Sequence, residues 1–349
     1  PSDRPRGPRY PRGMAFRDQH EAPALSDDPF DRFQALFAEL DRSSGLLTDR
    51  VPLRLAAINL VTVPGDAAAL AAQFYAHDAA LARRLGWLTT TDPSVRRVIA
   101  AHLVKYGDQP DAFLDEVDRV AALFRAAGLR RGGVHETLAV LLLRRALGGA
   151  AIDSDPVARL AAIYAEMKRH HWWLTGPEDL PACAILVTRP GAPTDIGDGI
   201  EAIYQALHRD AGLWRGDPLQ TAANVLYLSG LGPDEVAARF TVLVREFRQA
   251  GATIGQGEYD DLAILCFFAL PVARIVATVI GYRDRLTAGK WFVARTNFSL
   301  ATNLAFVRMV GQDGALGPLA DAKLLLDMQA IVAARMAAVA GTTAATAAS

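Results

Sequence analysis

The sequence predicts an all-α protein of about seven tandem helical hairpins, and three observations carry that expectation. The first is an internal period. The short stretches LLTD (46–49), WLTT (87–90), RRGG (130–133), WLTG (173–176), WRGD (214–217), TIGQ (253–256) and WFVA (291–294) share one position, held by Thr48, Thr89, Gly132, Thr175, Gly216, Gly255 and Val293. The steps between these marks are 41, 43, 43, 41, 39 and 38 residues, the range of helical repeat arrays. The second is that all five tryptophans sit at this point: Trp87, Trp173, Trp214 and Trp291 two places before the mark, and Trp172 one place earlier. The third is the absence of any sustained two-residue alternation of the kind strands need.

Residues 1–28 open the chain with PSDRPRGPRYPRG, carrying Arg4, Arg6, Arg9 and Arg12 between prolines. Without an apolar core this is no secretory signal, and it is expected to be a disordered Arg/Pro-rich leader. The first helix is expected at about 29–42, as an incomplete leading unit. After each mark comes a short helix apolar on most sides: RLAAINLV (54–61), ETLAVLLL (136–143), LQTAANVLYL (219–228), DLAILCFF (261–268) and SLATNLAFV (299–307). Such helices belong inside a stack. A loop with Pro and acidic residues follows, such as VPGD (63–66), DSDP (153–156) or GLGPDE (230–235), which suits helix starts.

A longer amphipathic helix completes each unit: 66–85, 111–128, 155–171, 197–212 and 233–251, with apolar residues at three- and four-residue steps. Arg42, Arg83, Arg125, Arg169, Arg209 and Arg248 stand near the ends of these helices, where cations complement the dipole, and Gly128, Gly212 and Gly251 serve as stops. A last helix is expected over 316–340, giving one helical-repeat domain over 29–340, with a frayed tail at 341–349. The hairpins are expected to stack as an open right-handed superhelix, an α-solenoid. The alternative is a closed α/α toroid with short helices inside and long ones outside.

Bulk composition narrows the function classes. Half the chain is apolar and the formal net charge is −1, which argues against general nucleic-acid binding. Cys183 and Cys266, both in apolar stretches, give neither a disulfide framework nor a zinc cluster, and a cytoplasmic location is expected. The run Leu262–Tyr282 has the length of a membrane span, but Pro271 breaks it and Arg274 lies near its middle. Two adjoining helices account for it better, and no membrane span is expected.

Several clusters are candidates for chemistry. Glu166 and His170, four residues apart on one helical face and next to His171, form the weak candidate for a divalent ion. Zinc needs a third ligand that no local motif supplies, so the expectation is no metal and no cofactor. Glu258, Asp260 and Asp261 crowd one helix start, where paired acids can hold magnesium or exchange protons; ordinary acidity of a helix N-terminus also explains them. The Asp260–Asp261 pair resembles part of the metal-binding stretch of class I terpene synthases, but that pattern continues with a further acid and here LAIL follows. Asp153 and Asp155 in DSDP resemble half of the aspartate motif of class II cyclases, broken by Pro156; Asp155 is expected as a helix cap. Nucleotide-binding, zinc-protease and serine-hydrolase signatures are missing from the sequence.

The repeated tryptophans carry two readings. As staples, each packs on the following short helix and fixes the angle between units. As an aromatic row, they line one rim and hold a ligand, because repeats display equivalent positions on one face. The stretches HHWWLTGPEDLPACAIL (170–186), IEAIYQALHRDAGLWRGDPLQTAANVL (200–226) and LVREFRQAG (243–251) together resemble an uncharacterised family of bacterial all-helical proteins, a domain of unknown function. That resemblance implies the fold and no activity. The expected role is binding: a scaffold for a peptide, a protein or an apolar small molecule, with Trp87, Trp173, Trp214, Trp291, Glu258, Asp260 and Asp261 as candidate contacts. The alternative is an enzyme with a toroid cavity acting on an apolar, isoprenoid-like substrate.

Overall fold

The computed structural model describes residues 28–44, 50–85, 93–288 and 294–310. The leader, the last helix and tail, Trp87 and Trp291 lie outside these residues. Among the described residues there are fourteen α-helices and no strand. The long helices are α1 (Pro29–Arg42), α3 (Ala67–Leu85), α5 (Pro110–Ala126), α7 (Ser154–His170), α9 (Pro193–Asp210), α11 (Pro233–Gln249) and α13 (Val272–Ala288). Between them run α2 (Arg50–Leu60), α4 (Pro93–Tyr106), α6 (Val134–Ala146), α8 (Leu180–Leu186), α10 (Asp217–Tyr227), α12 (Tyr259–Leu265) and α14 (Ala294–Val310). The expected hairpins are therefore present, although α4 and α14 are not shorter than α1. Pro271 separates α12 from α13, and no helix among the described residues is long and apolar enough to cross a membrane.

The two sets of helices differ in burial as their patterns require. Every residue of α10 from Leu219 to Leu226 and all of α8 are buried, whereas α11 buries one stripe: Val236, Ala237, Phe240, Leu243, Val244 and Phe247. Even-numbered helices pack on one another in succession from α2 to α14, and odd-numbered ones do so from α1 to α13. The order of contacts then returns to its start. Helix α14 packs against α2 and α1, and Tyr282 and Arg285 of α13 reach Asp28 at the head of α1.

A recurrent arginine, not anticipated from the sequence, joins successive units. On an odd-numbered helix it donates to carbonyls of the loop that ends the next even-numbered helix. Arg32 reaches Val63 and Gly65, both at 2.7 Å, and Arg119 reaches Ile152 at 2.7 Å. Arg159 reaches Val187, Arg189 and Gly191 at 2.7–2.9 Å. Arg239 reaches Phe268 and Leu270, and on α3 His77 meets the Asp108 carbonyl at 3.2 Å in the same manner. These loops carry carbonyls that no helix satisfies, and a fixed guanidinium fork answers several at once.

Two glycines inside helices separate packing from propensity. A Cβ on Gly197 of α9 would stand 2.8 Å from the Glu166 Cβ of α7, so the two helices approach through it. Gly281 of α13 has nothing within 4 Å of that position. Gly281→Ala is expected to stabilise the fold by about 0.5–1 kcal/mol through helix propensity. Gly197→Ala is expected to lose about 1–2 kcal/mol, because overpacking exceeds that gain. Urea unfolding of both variants checks this; equal shifts for the two would refute a close α7–α9 approach.

Candidate functional site

The tryptophans lie where the odd-numbered helices end and the even-numbered ones begin. Helix α7 stops at the HHWW segment: His171 is its C-cap, and its carbonyl accepts from Leu174 and Thr175 N–H at 3.0 and 2.9 Å. Helix α9 stops at Gly212, whose φ of 66° falls in the left-handed region that only glycine enters cheaply. Leu213 N–H then returns to the Leu207 carbonyl at 3.2 Å, and His208 Nδ1 lies 2.8 Å from the Leu213 carbonyl. Leu213 goes inward and Trp214 outward.

The three described indoles are not staples. Trp172, Trp173 and Trp214 are 70, 63 and 75 % exposed, so the expected packing on the following helix is corrected: their apolar faces stand in solvent. The backbone beneath them is nevertheless held. Trp214 N–H donates to Tyr259 Oη at 3.4 Å and Gly216 N–H to Tyr204 Oη at 3.2 Å, so phenols grip the loop on both sides of Trp214. Gln220 Nε2 donates to Thr175 Oγ1 at 3.3 Å, tying this loop's helix to the preceding mark. Beside them, Trp172 and Trp173 meet edge to face at 5.8 Å.

A pocket of about 370 Å³ opens at Trp214, within the size range of small-molecule sites. Leu213, Trp214, Val244, Ile254 and Tyr259 give it apolar walls, and Arg248 and Gln256 give it polar groups. A second cleft of about 10 Å³ lies among Met167, His171, Glu201, Tyr204 and Gln220, room for about one water. There His171 Nε2 stands 2.6 Å from Glu201 Oε2, and its ring lies 4.4 Å from that of Tyr204. Sequence reasoning noticed His171 but not its pairing with Glu201, because the two stand at the end of α7 and on α9, thirty residues apart.

Two of the acidic candidates make contacts within the fold. Glu258 accepts the Gly255 N–H at 2.8 Å and returns its own N–H to the Gly255 carbonyl at 3.2 Å, a reciprocal cap. Asp179 does the same for Gly176 at 3.1 and 3.0 Å, and Glu136 accepts from Gly132 at 3.0 Å. The recurrence of an acid three or four residues after the mark was the signal available in the sequence. Asp261 is buried and accepts from Ser299 Oγ of α14 at 2.9 Å, and Asp260 is half-buried on the same first turn.

Glu166 and His170 turn to separate partners: Glu166 to Arg169 at 2.7 Å, His170 to Asp198 at 3.0 Å. Arg169, with His170, holds the Asp198 carboxyl below the usual range. Among the described residues no group of three His, Cys, Asp or Glu is placed to hold a metal ion. Asp153, not Asp155, is the N-cap position of α7. Both thiols are buried, and burial pushes Cys266 up to about 12 and Cys183 upward too, so neither is a nucleophile.

The described residues thus give an all-helical chain with three exposed tryptophans on two successive helix junctions. The chain belongs to the family described as "Protein of unknown function (DUF4003)", which matches residues 94–337. It is similar to the uncharacterized protein YeaA of Bacillus subtilis (strain 168), 26 % identical over 144 residues. That match covers 41 % of this chain and 43 % of the relative, under half of each length. No solved structure matches the chain.

Proposed function

We propose that the chain is a helical-repeat binding protein of the cytoplasm that holds the apolar part of a peptide, protein or small molecule on its tryptophan-bearing rim. The observation that carries this is the display of Trp172, Trp173 and Trp214 at 63–75 % exposure, with neighbouring phenols holding the backbone at Trp214 and Gly216. A large apolar side chain kept in water gains nothing for the fold and suits a surface that meets a partner. The pocket beside Trp214 and the engagement of Glu258 and Asp261 in capping and packing support binding over turnover. The contacts of α14 with α1 and α2 support a closed α/α ring as the frame, and two buried free cysteines fit a reducing compartment.

The test uses a neutral environment-sensitive apolar dye and the protein's own tryptophan emission. Wild type is expected to bind the dye with quenching of indole fluorescence. Trp173→Ala and Trp214→Ala are expected to melt within about 0.5 kcal/mol of wild type, as exposed positions do, and to bind the dye several-fold more weakly. Undiminished binding in both variants, or early melting of both, would overturn this reading.

A further inference from the structure

Helix α11 differs from most of its counterparts at one position, and the difference coincides with the pocket. The arginine near the end of most other odd-numbered helices is engaged. Arg42 pairs with Glu39, Arg125 with Glu136, Arg169 with Asp198 and Arg209 with Asp210, each at 2.6 Å. Arg285 pairs with Asp28 and Asp31, and on α3 Arg84, next to Arg83, pairs with Asp115 at 2.7 Å. Arg248, in the last turn of α11, has no side-chain partner among the described residues, and it lines the pocket. Among the described residues no Asp or Glu shares that lining with it. Tyr259 also faces the pocket, and its hydroxyl already accepts from Trp214 N–H, so its own O–H remains a donor. The chemistry is therefore one cation, one hydroxyl donor and one amide set in apolar and aromatic walls.

We infer that this pocket binds a monoanion carried on an apolar body: a carboxylate with a ring or branched chain, either as a free acid or as the C-terminal residue of a peptide. This rests on the binding role proposed for the rim and names its ligand class. The guanidinium takes the carboxylate, a charge-assisted contact that fixes orientation. The body lies between the Trp214 indole and the Val244–Ile254 wall. A cationic ligand is rejected by Arg248, and a neutral one loses the strongest contact.

Calorimetric titration of the intact protein tests this with matched probes: phenylacetate against 2-phenylethanol, and N-acetyl-leucine against N-acetyl-leucinamide. Each acid is expected to bind about tenfold or more tightly than its neutral partner, the size of one charge-assisted hydrogen bond. Arg248→Gln is expected to erase that difference, Arg248→Lys to restore part of it, and Trp214→Ala to weaken all four probes. Tighter binding of phenylacetate points to a free acid, and tighter binding of N-acetyl-leucine to a peptide end. Equal binding of acid and neutral partner overturns the anion class while leaving the apolar rim standing. No binding of any probe at millimolar concentration overturns the pocket, and dye binding that depends on Trp173 then judges the rim separately.

Discussion

Phe30→Ala is expected to cost about 3–5 kcal/mol of unfolding free energy, the usual loss for truncating a buried phenylalanine. Phe30 is 4 % exposed at the head of α1, yet part of its surroundings comes from the far end of the chain. Its ring stacks on Tyr282 of α13 at 6.3 Å, and the Arg285 guanidinium lies over it at 4.0 Å. The same guanidinium pairs with Asp28 and Asp31, and Tyr282 Oη donates to Asp28 at 2.8 Å.

Arg285→Ala removes the cation and its pairs but keeps the stacked rings, and is expected to cost only about 1–2 kcal/mol. A double-mutant cycle between Phe30 and Arg285 separates joint from local effects. A Phe30→Ala loss under 1 kcal/mol, or zero coupling, would mean that α1 and α13 do not support each other. Asp28 adds a pH signature. Burial works against its ionisation, but hydrogen bonds from Arg285, Phe30 N–H and Tyr282 prevail and hold its carboxyl below the usual range. Its contribution is present above the ordinary carboxylate range and is lost as pH falls through the lowered value.

Mild acid is expected to weaken the fold through His102. This residue of α4 is 1 % exposed, and its Nε2 is buried without a hydrogen-bond partner among the described residues. Burial first, then the Lys105 and Arg145 charges, push its pKa down to about 3, so it is neutral in the folded chain. The unfolded chain takes up a proton near 6.5. Between these values protons bind only the unfolded state, so stability is intact above about 6.5 and falls by roughly 1.4 kcal/mol per pH unit below it.

Urea unfolding at pH 7, 6 and 5 reads this slope, before most carboxylates titrate. His102→Leu is expected to flatten it. Parallel slopes for wild type and variant would remove His102 as the cause.

Hairpin order was legible because it is local. The helix stops at Gly128, Gly212 and Gly251 have φ of 81, 66 and 74°, the conformation a sequence signals by placing glycine after a periodic run. The Pro271 break and the buried character of α2, α6, α10 and α12 were legible for the same reason: periodicity and punctuation act within a few turns. The site was only half legible. The tryptophan position was found, but a large apolar residue reads as buried until neighbouring loops are placed, and Trp214 proved 75 % exposed. Glu258 read as a candidate ligand because its partner is a backbone N–H, which no sequence displays.

The sequence by itself therefore determined the all-helical class, the succession of paired helices and the recurrence of one tryptophan-bearing turn, since each depends on forces acting over one or two helical turns. Tertiary structure decided that α14 and α13 meet α1, that Arg248 is left beside a pocket without a carboxylate partner among the described residues, and that Trp172, Trp173 and Trp214 face water. Those outcomes depend on small angles between units, which accumulate over some 250 residues between Asp28 and Arg285 and are set by packing at every interface between them.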